Sequence, residues 1–277
     1  MAYLKTGNEE NKEDIQLILR RDATYQVNRH QISILKGHEH VVWHVELIQG
    51  NLEEKTIDFQ SNVEGARKWG ESYYKKWKPE LSSEEQNSIE NYTGGGYNEI
   101  NLYLSKPTEW KREYGKGSEE KIRLQEQNLQ KKINTIDKAI DKASVPEAII
   151  VYRRVSEWQF NRESMTLREN TGHSLVQKVK NEIIAEFQGK TFTQHSYMST
   201  SLAKDPHKSF TGERFNILLV IHIPKGTRAA YVANMGKYPE QLELLIKRGY
   251  TFKYEKFSVI KDANSKESLM VEVSLQL

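Results

Sequence analysis

The spacing of apolar residues changes once along this chain, and the change limits the folds open to it. Between residues 62 and 143 they recur every three or four positions: Val63, Ala66, Trp69 and Gly70 make one stripe, and Ile122, Leu129, Ile133, Ile136 and Ile140 another. That period puts one side of a helix against a core. Ser82 and Ser83, each three residues before Glu85 or Gln86, offer two overlapping capping boxes ahead of Ile89. Pro146 stops the long helix, residues 148–152 read as a buried strand, and 174–187 as a further amphipathic helix. Beyond residue 190 the apolar residues fall in short runs, 197–202, 215–223, 229–232, 242–246, 250–260 and 269–277, with turn residues such as Pro224-Lys225-Gly226 between them. These predict strands. Helices first and strands later predict an α+β domain rather than alternating βαβ units.

Residues 1–58 have a different character. They hold three β-rich stretches, 14–20, 31–35 and 41–48, and carry 7 Lys/Arg against 10 Asp/Glu, while the whole chain of 277 residues has a formal charge of +3. Four of the eight histidines, His30, His38, His40 and His44, lie here. The shift predicts a boundary near Asp58, with an extension over 1–58 and the main domain over 59–277.

Composition removes several function classes. A net charge of +3 is too even for a dedicated nucleic-acid backbone binder. The absence of cysteine excludes disulfides, thiol nucleophiles, Cys-ligated zinc and iron–sulfur clusters. No run approaches the roughly 18 apolar residues of a membrane-spanning helix, so stable membrane insertion is not expected. The first residues include Glu9 and Glu10 and no apolar segment of a secretory leader. The expectation is a cytoplasmic chain, or one exported by another route. Gly94-Gly95-Gly96 and Gly115-Lys116-Gly117-Ser118 lack the spacing of a P-loop, and no G-x-S-x-G or G-x-G-x-x-G occurs. His38-Glu39-His40 has Val42 where a zincin needs histidine. Exposed or half-buried histidines are the simpler reading, and no metal is expected.

Three separated pieces carry chemistry. Tyr152-Arg153-Arg154 ends the buried strand, where guanidinium groups can clamp a pyrophosphate or a carboxylate, or form structural ion pairs. In Ser199-Thr200-Ser201 alternation puts the two serine hydroxyls on one face, able to orient a carboxylate or simply to meet solvent. In the third piece a turn-rich loop from Asn234 runs into an apolar strand, and alternation places Gln241 and Glu243 on one face with Leu242 buried opposite. A carboxylate entering a sheet beside Ser199 and Arg153 suits the stabilisation of a positive charge formed in a reaction.

The order aromatic-Arg, Ser-Thr-Ser, Gln-x-Glu over about ninety residues resembles the bacterial mono-ADP-ribosyltransferase toxins of the R-S-E type. The likeness is greatest to the Rho-modifying exoenzymes and extends to the enzymatic components of binary toxins. Arg67-Lys68-Trp69-Gly70 and the segment from Tyr92 through Tyr97 to Asn101 are similar to the first helices and loop of that catalytic domain. The resemblance implies an ADP-ribosyltransferase fold, with N-terminal helices followed by two packed, mainly antiparallel β-sheets around an NAD cleft. NAD is then a co-substrate. The resemblance implies that Arg153 binds an NAD phosphate with help from Arg154, that Tyr92, Tyr97 and Asn101 shape the adenosine and ribose side, and that Arg214 belongs to the phosphate–nicotinamide loop. It implies further that Ser199 orients Glu243, which accepts a hydrogen bond from the nicotinamide ribose and stabilises the oxocarbenium ion. Gln241 stands where the family sets its acceptor; a neutral amide is a poor base but complements another amide, which favours asparagine. Tyr238 stands where the family packs an aromatic on its protein substrate.

The implied activity is transfer of ADP-ribose to an asparagine of a Rho-type GTPase in the host cytosol, with nicotinamide release and weak NAD glycohydrolysis, by a secreted monomer without a recognisable leader. Arginine of actin as acceptor, or a catalytically idle module of the same fold, are the rivals. Residues 1–58 either dock a separate pore-forming translocation component or pad the catalytic core. Protonation of their four histidines takes this segment from −3 to +1, which makes it a candidate for loosening at low pH.

Overall fold

A computed structural model describes residues 56–168, 172–207 and 215–276, together with two strands nearer the N-terminus. The chain divides into two compact units between Lys55 and Thr56. In the first, β1 (Tyr25–Leu35) and β2 (His38–Leu47) pair antiparallel, with a register shift between Val27 and Arg29. They take in the expected stretches 31–35 and most of 41–48. The stretch 14–20 lies outside the described residues.

The second unit opens with the expected helical layer. Asn62 caps α1 (Val63–Tyr73) by accepting from the Gly65 amide at 2.9 Å. Gly70 of α1 lies directly on the Tyr231 ring: a Cβ at this position would stand 2.8 Å from it. After the single turn α2 (Trp77–Glu80), Ser82 and Glu85 form a full capping box on α3 (Ser83–Asn91); of the two overlapping boxes this is the one realised. A π-helical turn over Tyr92–Gly96 leads into α4 (Tyr97–Ser105), and only Gly95, at φ 135°, leaves the helical region there. Glycine tolerates that angle at no steric cost. Helix α5 (Pro107–Glu113) has too little apolar period to be read from sequence; Pro107 at its first turn starts it. Ser118 caps α6 (Glu119–Asp141), whose Leu129, Ile133, Ile136 and Ile140 are buried, each such side chain contributing about 1.5–3 kcal/mol.

The strands are β3 (Ile149–Val155), β4 (Thr191–Thr193), β5 (Met198–Ser201), β6 (Ile217–Ile223), β7 (Ala229–Tyr231), β8 (Glu243–Ile246), β9 (Thr251–Lys261) and β10 (Glu267–Gln276), with α7 (Gln177–Phe187) between β3 and β4. They form a mixed α+β architecture with a mainly antiparallel sheet, β6 and β10 being parallel. The two expected sheets are joined: the order is β4-β9-β10-β6-β3-β5-β8-β7, and β3 meets β5 through the single pair Tyr152↔Ser201. Five strands therefore lie on one side of this link and three on the other. Arg153 follows Tyr152 at that junction. Among the described residues no helix is long and apolar enough to cross a membrane.

Candidate active site

Where β3 and β5 part, Arg153 crosses the gap. Its Nη1 donates to the Ser199 carbonyl oxygen at 2.6 Å, and its charge faces Glu243, the first residue of β8. Residue pairing between β5 and β8 sets Ser199 opposite Leu245 and Ser201 opposite Glu243. The Ser199 hydroxyl bonds the Glu243 carboxylate. Burial pushes the Glu243 carboxyl up from the ordinary carboxylate value, and the Ser199 hydrogen bond and the Arg153 charge offset only part of that shift. Burial likewise pulls the Arg153 guanidinium down, against the opposing pull of Tyr92 and Glu243.

Tyr92, on the π-helical turn, closes one side. Its hydroxyl pairs with the Asn101 side chain, whose Nδ2 donates at 3.0 Å, and it lies within electrostatic reach of Arg153 and Glu243. Burial holds its pKa well above the usual phenol value. Tyr97 meets the Tyr92 ring edge-on at 6.4 Å and is 45 % exposed. The structure thus brings together Arg153, Ser199, Glu243, Tyr92, Tyr97 and Asn101.

Other expected residues fall elsewhere. Arg154, being next to Arg153 on a strand, points to the opposite face. There its Nε and Nη2 hold the Asp205 carboxylate at 2.8 and 2.6 Å, and its Nη1 reaches Ser268. It does not join the cluster. The alternation expected for Gln241 and Glu243 is also broken: Gln241 ends a 3-10 turn over Pro239–Gln241, and Leu242 takes a left-handed φ of 50° before β8 begins. Gln241 is therefore carried by the turn, half-buried, beside Tyr238, which is 46 % exposed under the Lys237 ammonium. The Ser201 hydroxyl accepts from the Ala203 amide instead of sharing in the orientation of Glu243. Arg214 lies outside the described residues, and the side chains of His30, His38, His40 and His44 do too.

Sequence reasoning passed over a layer behind Tyr92. The Tyr197 ring meets the Tyr92 ring edge-on at 5.3 Å, and its hydroxyl lies 2.9 Å from Asp137 Oδ1 and 3.0 Å from the Ile133 carbonyl oxygen. Only its place two residues before Ser199 marks Tyr197 in the sequence; Asp137 sits sixty residues away on α6. A hollow of about 420 Å³ lies apart from Arg153 and Glu243, between α3, α4 and α6, with Asn87, Asn91 and Lys132 on its walls.

The ADP-ribosyltransferase exoenzyme model matches residues 66–276, about three quarters of the chain and all of the cluster. The chain belongs to that family. Like other ADP-ribosyltransferase exoenzymes it is an NAD-dependent protein mono-ADP-ribosyltransferase of toxin type. It is 27% identical over 202 residues to the mono-ADP-ribosyltransferase C3 of Clostridium botulinum D phage, covering 73% of each chain. Among solved structures it superposes on Plx2A, an ADP-ribosyltransferase toxin from Paenibacillus larvae, with TM-score 0.66 and 32% identity over 80% of this chain and all of that one. It also superposes on BECa, the ADP-ribosylating toxin of a Clostridium perfringens binary enterotoxin, there with NADH; the TM-score is 0.67 at 28% identity, over 99% of this chain and 60% of BECa. In this exoenzyme the cluster sets a half-buried cation near a carboxylate, with aromatic and amide groups beside them, side chains whose chemistry fits the phosphates and ribose of a dinucleotide.

Proposed function

We propose that this exoenzyme transfers ADP-ribose from NAD to an asparagine side chain of a Rho-type GTPase, with a low rate of NAD hydrolysis when no acceptor is present. The observation that carries the acceptor choice is Gln241, two residues before Glu243, on a turn beside the exposed Tyr238. An amide at that place donates and accepts toward another amide but takes no proton from a guanidinium. The resemblance to the Rho-modifying exoenzymes supports the choice of GTPase.

Bound NAD supplies the ADP-ribosyl group and a leaving nicotinamide. In this reading Arg153 holds a phosphate, with its guanidinium braced on the Ser199 carbonyl. Ser199 fixes the Glu243 rotamer. The Glu243 carboxylate binds a ribose hydroxyl and opposes the positive charge that grows as nicotinamide departs, an interaction realised mainly in the transition state. Tyr92, Asn101 and Tyr97 line the ribose and adenosine side. Gln241 orients the acceptor amide and Tyr238 packs on the partner surface. Arg214 contributes from the phosphate–nicotinamide loop. Residues 1–58 dock a separate translocation component; the match to BECa supports this, because it covers 99% of the chain and so takes in the N-terminal unit.

The test is uncoupling. Gln241→Ala is expected to leave nicotinamide release from NAD alone near the parent rate and to remove labelling of the GTPase. Equal loss of both activities would assign Gln241 to the NAD site and overturn its role toward the acceptor.

A further inference from the structure

We propose that Asp137 and Tyr197 are positioning residues for NAD binding, acting through Tyr92. The inference rests on the reading of the cleft as an NAD site. Tyr92 is 2 % exposed and fixed at two points: Asn101 holds its hydroxyl, and the Tyr197 ring backs its own. Its hydroxyl lies within electrostatic reach of Arg153 and Glu243. Any tilt of the ring therefore moves the site's aromatic wall.

Tyr197 is held from behind in turn. A buried phenol needs a partner for its hydroxyl, and here α6 supplies Asp137 Oδ1 and the Ile133 carbonyl. The Asp137 carboxylate is itself clamped: Arg248, just past β8, donates to Oδ2 from Nε at 3.0 Å and from Nη2 at 2.7 Å. One carboxylate thus ties α6, the approach to β5 and the exit of β8 at a single point. One turn further along α6, Asp141 pairs with Lys247 at 2.6 Å; this bridge joins the same helix to the same strand end without touching Tyr197. The two neighbouring ion pairs separate a general tether from a positioning device.

The experiment is steady-state NAD hydrolysis by the full chain, with nicotinamide release as the readout. Tyr197→Phe keeps the ring and loses its anchor; KM for NAD is expected to rise by about tenfold, the scale of one lost hydrogen bond, with kcat unchanged. In a Tyr92→Ala background the same substitution is expected to add nothing to KM. Lys247→Ala is expected to leave both constants at parent values. Asp137→Asn shifts KM in the same direction by a smaller factor, and carries the comparison should Tyr197→Phe fail to fold. An unchanged KM, a fall in kcat alone, or the same KM factor with and without Tyr92 overturns the proposal, since each disconnects Tyr197 from the aromatic wall. A parent chain that releases no nicotinamide overturns the functional reading and the proposal together, whereas an active parent with an unaltered variant overturns the proposal alone.

Discussion

At Glu243 burial and function pull in opposite directions. The role proposed for Glu243 needs the carboxylate, yet burial favours the neutral acid, and Ser199 and Arg153 restore only part of the balance. The carboxyl therefore titrates above the ordinary value of 4.5. The acid limb of kcat/KM for NAD is expected at a pH above that value, because activity tracks the ionised form of the free enzyme. A profile flat down to ordinary carboxylate pH would contradict this. Stability follows by linkage. Above the unfolded pKa the folded state binds the proton more tightly, so stability falls as pH rises through the window between the unfolded and folded values. The stability of Glu243→Gln relative to the parent is thus expected to increase on going from about pH 4 to neutral, as thermal midpoints across that range would show. Removing this charge should also cost on the order of 10²–10³ in the rate of NAD hydrolysis and of transfer; near-parent turnover would refute its role. The meeting of Glu243, Arg153 and Ser199 is legible in the sequence because residue type and order mark all three. The partner of Arg154 is not, since Asp205 lies fifty-one residues away and only strand pairing brings it near.

Among the elements, the short connections decide more than the long ones. The helix α6 and the late strands are legible because their apolar period is uninterrupted. The run into β8 is not: a 3-10 turn and a left-handed Leu242 displace Gln241 from the strand, and single-residue backbone reversals leave no mark on the apolar pattern. The Arg154–Asp205 pair locks the turn after β5 onto β3. Asp205→Ala leaves a largely buried guanidinium without its counter-charge and is expected to destabilise the fold by on the order of 3 kcal/mol, with KM for NAD unchanged in the folded enzyme. A raised or lowered KM would return Arg154 to the phosphate site. Packing of α1 on β7 is equally specific. Gly70→Ala drives a methyl group into the Tyr231 ring, an overpacking expected to cost about 1–3 kcal/mol in chemical denaturation.

For the whole molecule, the change of charge and pattern in the sequence sets a boundary near Asp58, and the compact units divide between Lys55 and Thr56. A chain beginning at Thr56 retains the elements that carry Arg153, Ser199 and Glu243. It is expected to keep NAD hydrolysis and GTPase labelling in solution while losing entry into cells supplied with the translocation component. The central claim, a transferase whose acceptor is an amide, is tested most directly by incubating the full chain with labelled NAD and, separately, a Rho-type GTPase and actin, then mapping the modified residue by mass spectrometry. The account predicts label on an asparagine of the GTPase, none on actin, and GTPase labelling slowed by on the order of 10²–10³ with Glu243→Gln. Label on an arginine of actin, or nicotinamide release with no labelled protein, would contradict it.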